Sequence, residues 1–181
     1  MAVVAALLGA CGDEPADEAP GQVTTTAAAA QALTTSTSAP GRSYAADFTS
    51  ADGHRYRITL ALGARPAAGA VLDCPTAPTA GRYSLPVTLI VANGASDRAA
   101  PFPPVRIEMA APAGTKPAQV LVRDPAGTCT FSPRVASIGP GASVVFNGTS
   151  PLIEEGAPPG AAGRIEVKIS ETTFSLVAPL P

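Results

Sequence analysis

The sequence predicts an all-β domain, a two-sheet sandwich of about eight or nine strands, and three observations carry that expectation. From about Ser43 to Leu176 the large apolar residues recur at every second position, the period of a strand with one buried face. Pro (20) and Gly (17) are frequent among 181 residues, which sets turns close together. Trp is absent and aromatics make up only 4%, which with the proline content suits short strands joined by many turns rather than a helical bundle. No segment after residue 41 has the 3.6 period of a helix longer than one turn.

The chain begins differently. Met1 to Ala10 is apolar and uncharged and closes on Leu8-Gly9-Ala10-Cys11, followed at once by Asp13, Glu14, Asp17 and Glu18. Small residues before a cysteine, after a hydrophobic run, suit the groove of a signal peptidase. The segment resembles the lipobox of bacterial lipoproteins. That resemblance implies a signal peptide over residues 1–10, a diacylglyceryl group on the Cys11 sulfur and attachment to the extracytoplasmic face of the cell membrane. No Lys or Arg precedes Cys11, which we read as a sign that translation starts upstream of Met1.

Residues 11–41 read as a tether. Gly21 to Gly41, GQVTTTAAAAQALTTSTSAPG, has no charge and almost no large apolar side chain. Such a segment cannot bury enough surface to offset the entropy of ordering, so disorder is expected. The domain is accordingly placed at 42–181.

Within it the strands follow in order. Tyr44, Ala46 and Phe48 alternate, Asp52-Gly53 supplies turn residues, and Tyr56, Ile58, Leu60 and Leu62 alternate against Arg55, Arg57 and Thr59, which predicts a hairpin. Gly63 to Gly69 is a loop, and Val71 to Cys74 is taken as a brief strand. Tyr83 to Val91 is the longest candidate, with Tyr83, Leu85, Val87, Leu89 and Val91 on the face expected at the core centre. Pro86 has no N–H, so an unpaired edge or a bulge is expected there. Asn93-Gly94 ends the strand. Val105, Ile107 and Met109 follow, then Val120 with Val122 and Cys129 with Phe131 around the turn Asp124-Pro125-Ala126-Gly127. Val144 with Phe146, Ile165 with Val167 and Ile169, and Phe174 with Leu176 complete the set.

Charge and cysteine content narrow the setting. Net charge is −2, and the acids just after Cys11 account for four of fourteen, so the remainder is nearly neutral with scattered basic residues. A nucleic-acid footprint is therefore not expected. No later stretch approaches the roughly 20 apolar residues of a membrane helix. Cys11, Cys74 and Cys129 are the three cysteines; with Cys11 lipidated, the other two form an even pair, and export predicts a disulfide between them. No His or Cys stands at metal-ligand spacing near either, so zinc is not expected.

Three features now stand together: the tether after Cys11, the strand Tyr83 to Asn93 ending in Asn-Gly, and Gly139-Pro140-Gly141-Ala142-Ser143-Val144 leading into a late strand. In that order they resemble the immunoglobulin-like, telokin-like extracellular domains of actinobacterial cell-surface lipoproteins, over roughly Ser43 to Pro181. The resemblance implies an immunoglobulin-like sandwich on the cell surface. The strand Trp of antibody domains is missing, so nothing is carried over from antibodies.

Function is less legible. The expected class is a non-catalytic binding or adhesion module that takes an envelope protein or a wall polymer as partner, with no cofactor and no metal. Its candidate surface is Pro101, Phe102, Pro103 and Pro104, where Phe102 would be an exposed aromatic among prolines; the competing reading, and the preferred one, is a rigid inter-strand loop with Phe102 tucked inward. A carrier of an apolar ligand between the sheets is the first alternative. An extracytoplasmic hydrolase is the second and is disfavoured, because His54 is the one histidine and is expected in solvent after a turn glycine. Glu154 and Glu155 are adjacent acids on a Pro/Gly loop and lack the spaced ladder of a calcium loop. Asn147-Gly148-Thr149 fits a glycosylation acceptor, a reading that a bacterial lipobox leaves idle.

Overall fold

A computed structural model describes residues 34–38, 41–77, 79–110, 117–156, 163–169 and 175–180. Among these, every regular element is a β-strand. In chain order they are β1 (Thr34–Ser38), β2 (Gly41–Thr49), β3 (Arg55–Gly63), β4 (Arg82–Tyr83), β5 (Pro86–Asn93), β6 (Ala100–Pro101), β7 (Val105–Ala110) and β8 (Ala118–Gln119). There follow β9 (Leu121–Arg123), β10 (Cys129–Thr130), β11 (Ser137–Ile138), β12 (Ser143–Thr149), β13 (Ile153–Glu154), β14 (Arg164–Ile169) and β15 (Ser175–Pro179). Eight of these run five residues or more.

Two antiparallel sheets make the sandwich. One has seven strands in the order β1-β2-β3-β5-β12-β9-β10, the other four in the order β15-β14-β7-β8. Short ribbons, β6 with β11 and β4 with β13, close the sides. Alternation sets the facing rows: Ile58, Leu60, Leu89, Val91 and Phe146 point in from the large sheet and meet Ile107, Ile165, Val167 and Leu176 from the small one, each fully buried. Each such side chain contributes about 1.5–3 kcal/mol on leaving water, so these rows carry much of the core's stability.

The face expected at the core centre is there: Leu85, Val87, Leu89 and Val91 are at most 1% exposed. Its strand is interrupted, though. Ser84 and Leu85 separate β4 from β5, and Pro86 is the first residue of β5, a position that asks for no ladder N–H. Gly63, on the end of β3, faces this proline; a Cβ there would lie 3.0 Å from the ring. Gly148 in β12 is tighter, since a Cβ there would lie 2.0 Å from the Leu121 carbonyl oxygen and 2.6 Å from the Val122 Cα. Only glycine lets β9 approach β12 that closely.

Two expectations are corrected. Thr34–Ser38, assigned to the tether, is an edge strand paired with β2 from Thr34↔Ala45 to Ser38↔Gly41, so the ordered domain begins upstream of residue 42. Backbone hydrogen bonding to the free edge of β2 supplies this pairing, a term that composition does not register. Val71 to Cys74 is a loop and not a strand, held by its side chains instead of a ladder. The rest of the tether, Cys11 and Phe174 lie outside the described residues.

Candidate functional site: a clamped loop and a hydrogen-bonded loop cluster

Chemistry-bearing side chains gather at two places in the sandwich. The first is the loop from Ala64 to Cys74, which leaves β3 at Gly63. Ala70 N–H donates to the Ala67 carbonyl at 3.1 Å, and Gly69 takes φ +81°, so Ala67–Ala70 is a turn whose third residue needs the left-handed region. The tip projects: Ala67, Ala68, Gly69, Ala70 and Val71 are exposed, Val71 by 95%.

Both feet of this loop are fixed. At the first, Arg65 places its guanidinium 4.6 Å above the Tyr83 ring and pairs with Glu155. At the second, Cys74 forms a disulfide with Cys129 on β10, as expected from the cysteine count, with Cα atoms 5.6 Å apart. Asp73 adds an ion pair with Arg123 at 3.2 Å, and its carbonyl accepts a hydrogen bond from the Thr149 hydroxyl. Cys74 has φ 52° without being glycine, an uncommon backbone state that the disulfide and the Asp73 contacts hold in place.

The second place is built around Asn93, the last residue of β5 and only 4% exposed. Its side-chain nitrogen donates to the carbonyls of Arg98 (2.8 Å), Gly139 (3.0 Å) and Ile138 (3.3 Å), while its oxygen accepts from Ala95 N–H at 2.9 Å. Loops 94–99 and 139–142 are thereby tied to one side chain. Gly141 N–H to the Ala95 carbonyl (2.7 Å) and Arg98 to the Gly53 carbonyl (3.3 Å) join them to each other and to the β2–β3 turn. From sequence, Asn93 marks the end of a strand; its inward role follows from its parity with Leu89 and Val91.

The Pro101–Pro104 segment is held against the sandwich. Phe102 turns toward the core and meets Phe146 edge-on at 5.5 Å between ring centres, Pro103 is buried, and only Pro101 and Pro104 are exposed. The Tyr56 hydroxyl donates to the Pro101 carbonyl at 2.7 Å, which fixes the segment further. Burial, then the nearby Asp52 charge, raise the Tyr56 pKa, so the hydroxyl stays a donor throughout the physiological range.

His54 is half-buried, where solvent exposure was expected. Its Nδ1 is enclosed and has no hydrogen-bond partner among the described residues. Beside it a cleft of about 260 Å³ opens between Asp47, Thr49, Arg55, Tyr56, Arg57 and Gly94. Glu154 and Glu155 each pair with an arginine, Arg82 and Arg65 respectively. Among the described residues no group of three or more His, Cys, Asp or Glu could hold a metal ion. Asn147 accepts from Thr88 at 3.0 Å on the outer face of the large sheet.

The outer face of the small sheet carries a charged ladder. Glu108 and Glu166 are directly opposite across β7 and β14, and Lys168 stands between them at 2.8 and 3.5 Å. Arg164 bonds Glu166 at 2.6 Å, and this bond, opposed by desolvation and aided by Lys168, holds the Glu166 carboxyl below its ordinary pKa.

Compared with protein-family models, curated proteins and solved structures, the chain matches none. Among the described residues no helix is long and apolar enough to cross a membrane.

Proposed function

We propose that this chain is an extracytoplasmic lipoprotein, held on the membrane by lipid on Cys11, whose immunoglobulin-like sandwich is a non-catalytic binding module. The observation that carries the reading is the Cys74–Cys129 disulfide. Such bonds persist in oxidising, exported settings. The bond also uses two of the three cysteines, which leaves Cys11 alone at the end of a segment that resembles a lipobox. A thiol kept out of the pairing, behind a hydrophobic run and small residues, is what lipidation requires.

The binding half rests on the two loop groups, which a rigid sandwich presents from fixed positions. A hydrolase reading gains nothing from His54, because a Ser-His-Asp arrangement needs a carboxylate on the imidazole nitrogen that here has no partner among the described residues. A carrier would need space between the sheets, whereas the inward rows there join in one contiguous apolar cluster.

Membrane fractionation with mass spectrometry of the N-terminal peptide tests the anchor. The parent chain is expected in the membrane fraction with acyl mass on Cys11, and Cys11→Ala in the medium or as uncut precursor. Two or more acyl chains hold a protein far better than one, so the separation should be clear. A parent chain that is soluble and unacylated refutes the anchor.

A further inference from the structure

The outer edges of the two sheets are not alike. The large sheet ends at one side in β10, two residues long and bonded through Cys129 to Cys74. The small sheet ends in β8, also two residues long, and in β15, which carries Pro179. Brevity and proline are ordinary ways to stop an edge from pairing further. At the other side of the large sheet, β1 has five residues with no Pro and no charge, and no described strand pairs with its outer side.

The hairpin sets the direction of its main-chain groups. Ala39 and Pro40 alone separate Ser38 from its partner Gly41, so this closing pair exchanges hydrogen bonds and every second pair does the same. Ser38, Ser36 and Thr34 therefore bond to β2, while Thr35 and Thr37 turn N–H and C=O away from it. An added strand must match this length and bring no opposing charge, and TTSTS meets both needs for itself. Reversed about Ser36, it sets Ser36 against Ser36, Thr35 against Thr37 and Thr34 against Ser38, a hydroxyl residue against a hydroxyl residue throughout.

We infer that β1 pairs with β1 of a second copy, antiparallel about a two-fold axis at Ser36, so that two seven-stranded sheets run on as one. Thr35 then exchanges main-chain hydrogen bonds with Thr37 of the partner subunit, and Thr37 with Thr35 of the partner subunit. Ser43 and Ala45, which face Ser36 and Thr34 from β2, are uncharged as well. The nearest charge is Arg42, opposite Thr37 on β2. Three strand spacings of about 4.8 Å would separate it from its own copy, beyond the screening length of about 8 Å at physiological salt. A seam of this length buries little area, so the dimer is weak and depends on concentration. The inference goes beyond the binding role proposed above and depends neither on it nor on the lipid anchor.

Cross-linking tests the axis. Thr34→Cys, Ser36→Cys and Ser38→Cys are made one at a time in the full chain carrying Cys11→Ala, and each is oxidised mildly. At the axis two Cα atoms would stand about 4.5 Å apart, within disulfide reach. Residue 34 or 38 would lie about 14 Å from its own copy, four residues away at about 3.4 Å each. Ser36→Cys should therefore give covalent dimer at least roughly tenfold faster than the other two. Sedimentation of the Cys11→Ala chain should show association with Kd at or below about 1 mM. Ser36→Lys and Ser36→Glu should each be monomeric, since like charges would face each other, and mixing the two should restore the dimer. Thr35→Pro, which removes an outward N–H, should abolish association and leave the melting temperature near the parent's, because proline is tolerated where an edge N–H faces water. Equal cross-linking at the three positions, a parent chain still monomeric at about 1 mM, or no recovery on mixing would each overturn the inference. So would three cysteine variants that all stay monomeric, the outcome expected if upstream residues of the same chain cover β1.

Discussion

The loops around Asn93 and the loop ending at Cys74 are both fixed, by opposite means. Asn93 sits inside, 4% exposed, and ties loops 94–99 and 139–142 through four hydrogen bonds made by one amide. The Ala64–Cys74 loop is held from outside, by a disulfide and by arginines whose side chains are about half in water. A buried amide ties two exposed loops to each other from within, whereas peripheral clamps hold a single loop at its two ends.

That contrast can be broken at several points. The largest effect is expected where both regions depend on one contact, the approach of β9 to β12. Gly148→Val should cost more than about 4 kcal/mol or prevent folding, because the new Cβ would overlap the Leu121 carbonyl; denaturant melts of the purified variant check it. Removing the disulfide with Cys74→Ser and Cys129→Ser together should cost up to about 4 kcal/mol, the loop-entropy figure for a 55-residue separation. Its signature should be local, with faster proteolysis between residues 64 and 74 and unchanged amide protection near Asn93.

The complementary change sharpens the comparison. Asn93→Ala should cost about 1–3 kcal/mol, since three carbonyls and one N–H lose their buried partner. Asn93→Asp should be worse than alanine at neutral pH, because a carboxylate would face the carbonyls of Arg98, Ile138 and Gly139. Hydrogen exchange should then rise in loops 94–99 and 139–142 and stay unchanged at Cys74. If alanine and aspartate are equal, the amide is not oriented as described.

Much of this was open to sequence reading, and the exceptions have physical reasons. The core row of β5 and the Cys74–Cys129 pair followed from period and parity. Strand β1 did not, because TTSTS carries no apolar alternation and its pairing with β2 is a main-chain one. Of the two readings of Phe102, exposed on a partner-binding loop or tucked inward in a rigid inter-strand loop, the second and preferred one matches the ring's place against Phe146, where burial of the aromatic surface outweighs exposure. Gly63 to Gly69 reads as the loop it is, whereas Val71, Leu72 and Cys74 suggest a strand that does not form; the small residues and the glycine just before them are the signal for a projecting turn.

The smallest effect concerns the charged ladder, which touches neither loop group and so serves as a reference. The Glu166 pKa is lowered in the folded chain, so its contribution is present above the ordinary carboxyl value of 4.5 and is lost as pH falls through the folded value. Lys168 runs the other way: its pKa is raised, so its share is present below 10.5 and fades as pH climbs through the folded value. Glu166→Gln should flatten the acid limb of a plot of melting temperature against pH, by about 1 kcal/mol or less for this partly exposed network. Proteolysis at residues 64–74 should not change.

In the large sheet the outermost strand at one side, β10, is welded to the body through Cys129, while the outermost strand at the other, β1, is attached to β2 by main-chain bonds. If the proposed anchor at Cys11 holds, a pull from it enters the sheet at Thr34, on the side without a covalent link. Under load β1 yields first, and the seven residues from Thr34 to Pro40 pay out roughly 25 Å of slack at about 3.5 Å per residue. The core rows behind β2 stay closed while this happens. A domain anchored through that side would have a short first extension set by β1, while the disulfide ties the opposite side to the loop that ends at Cys74.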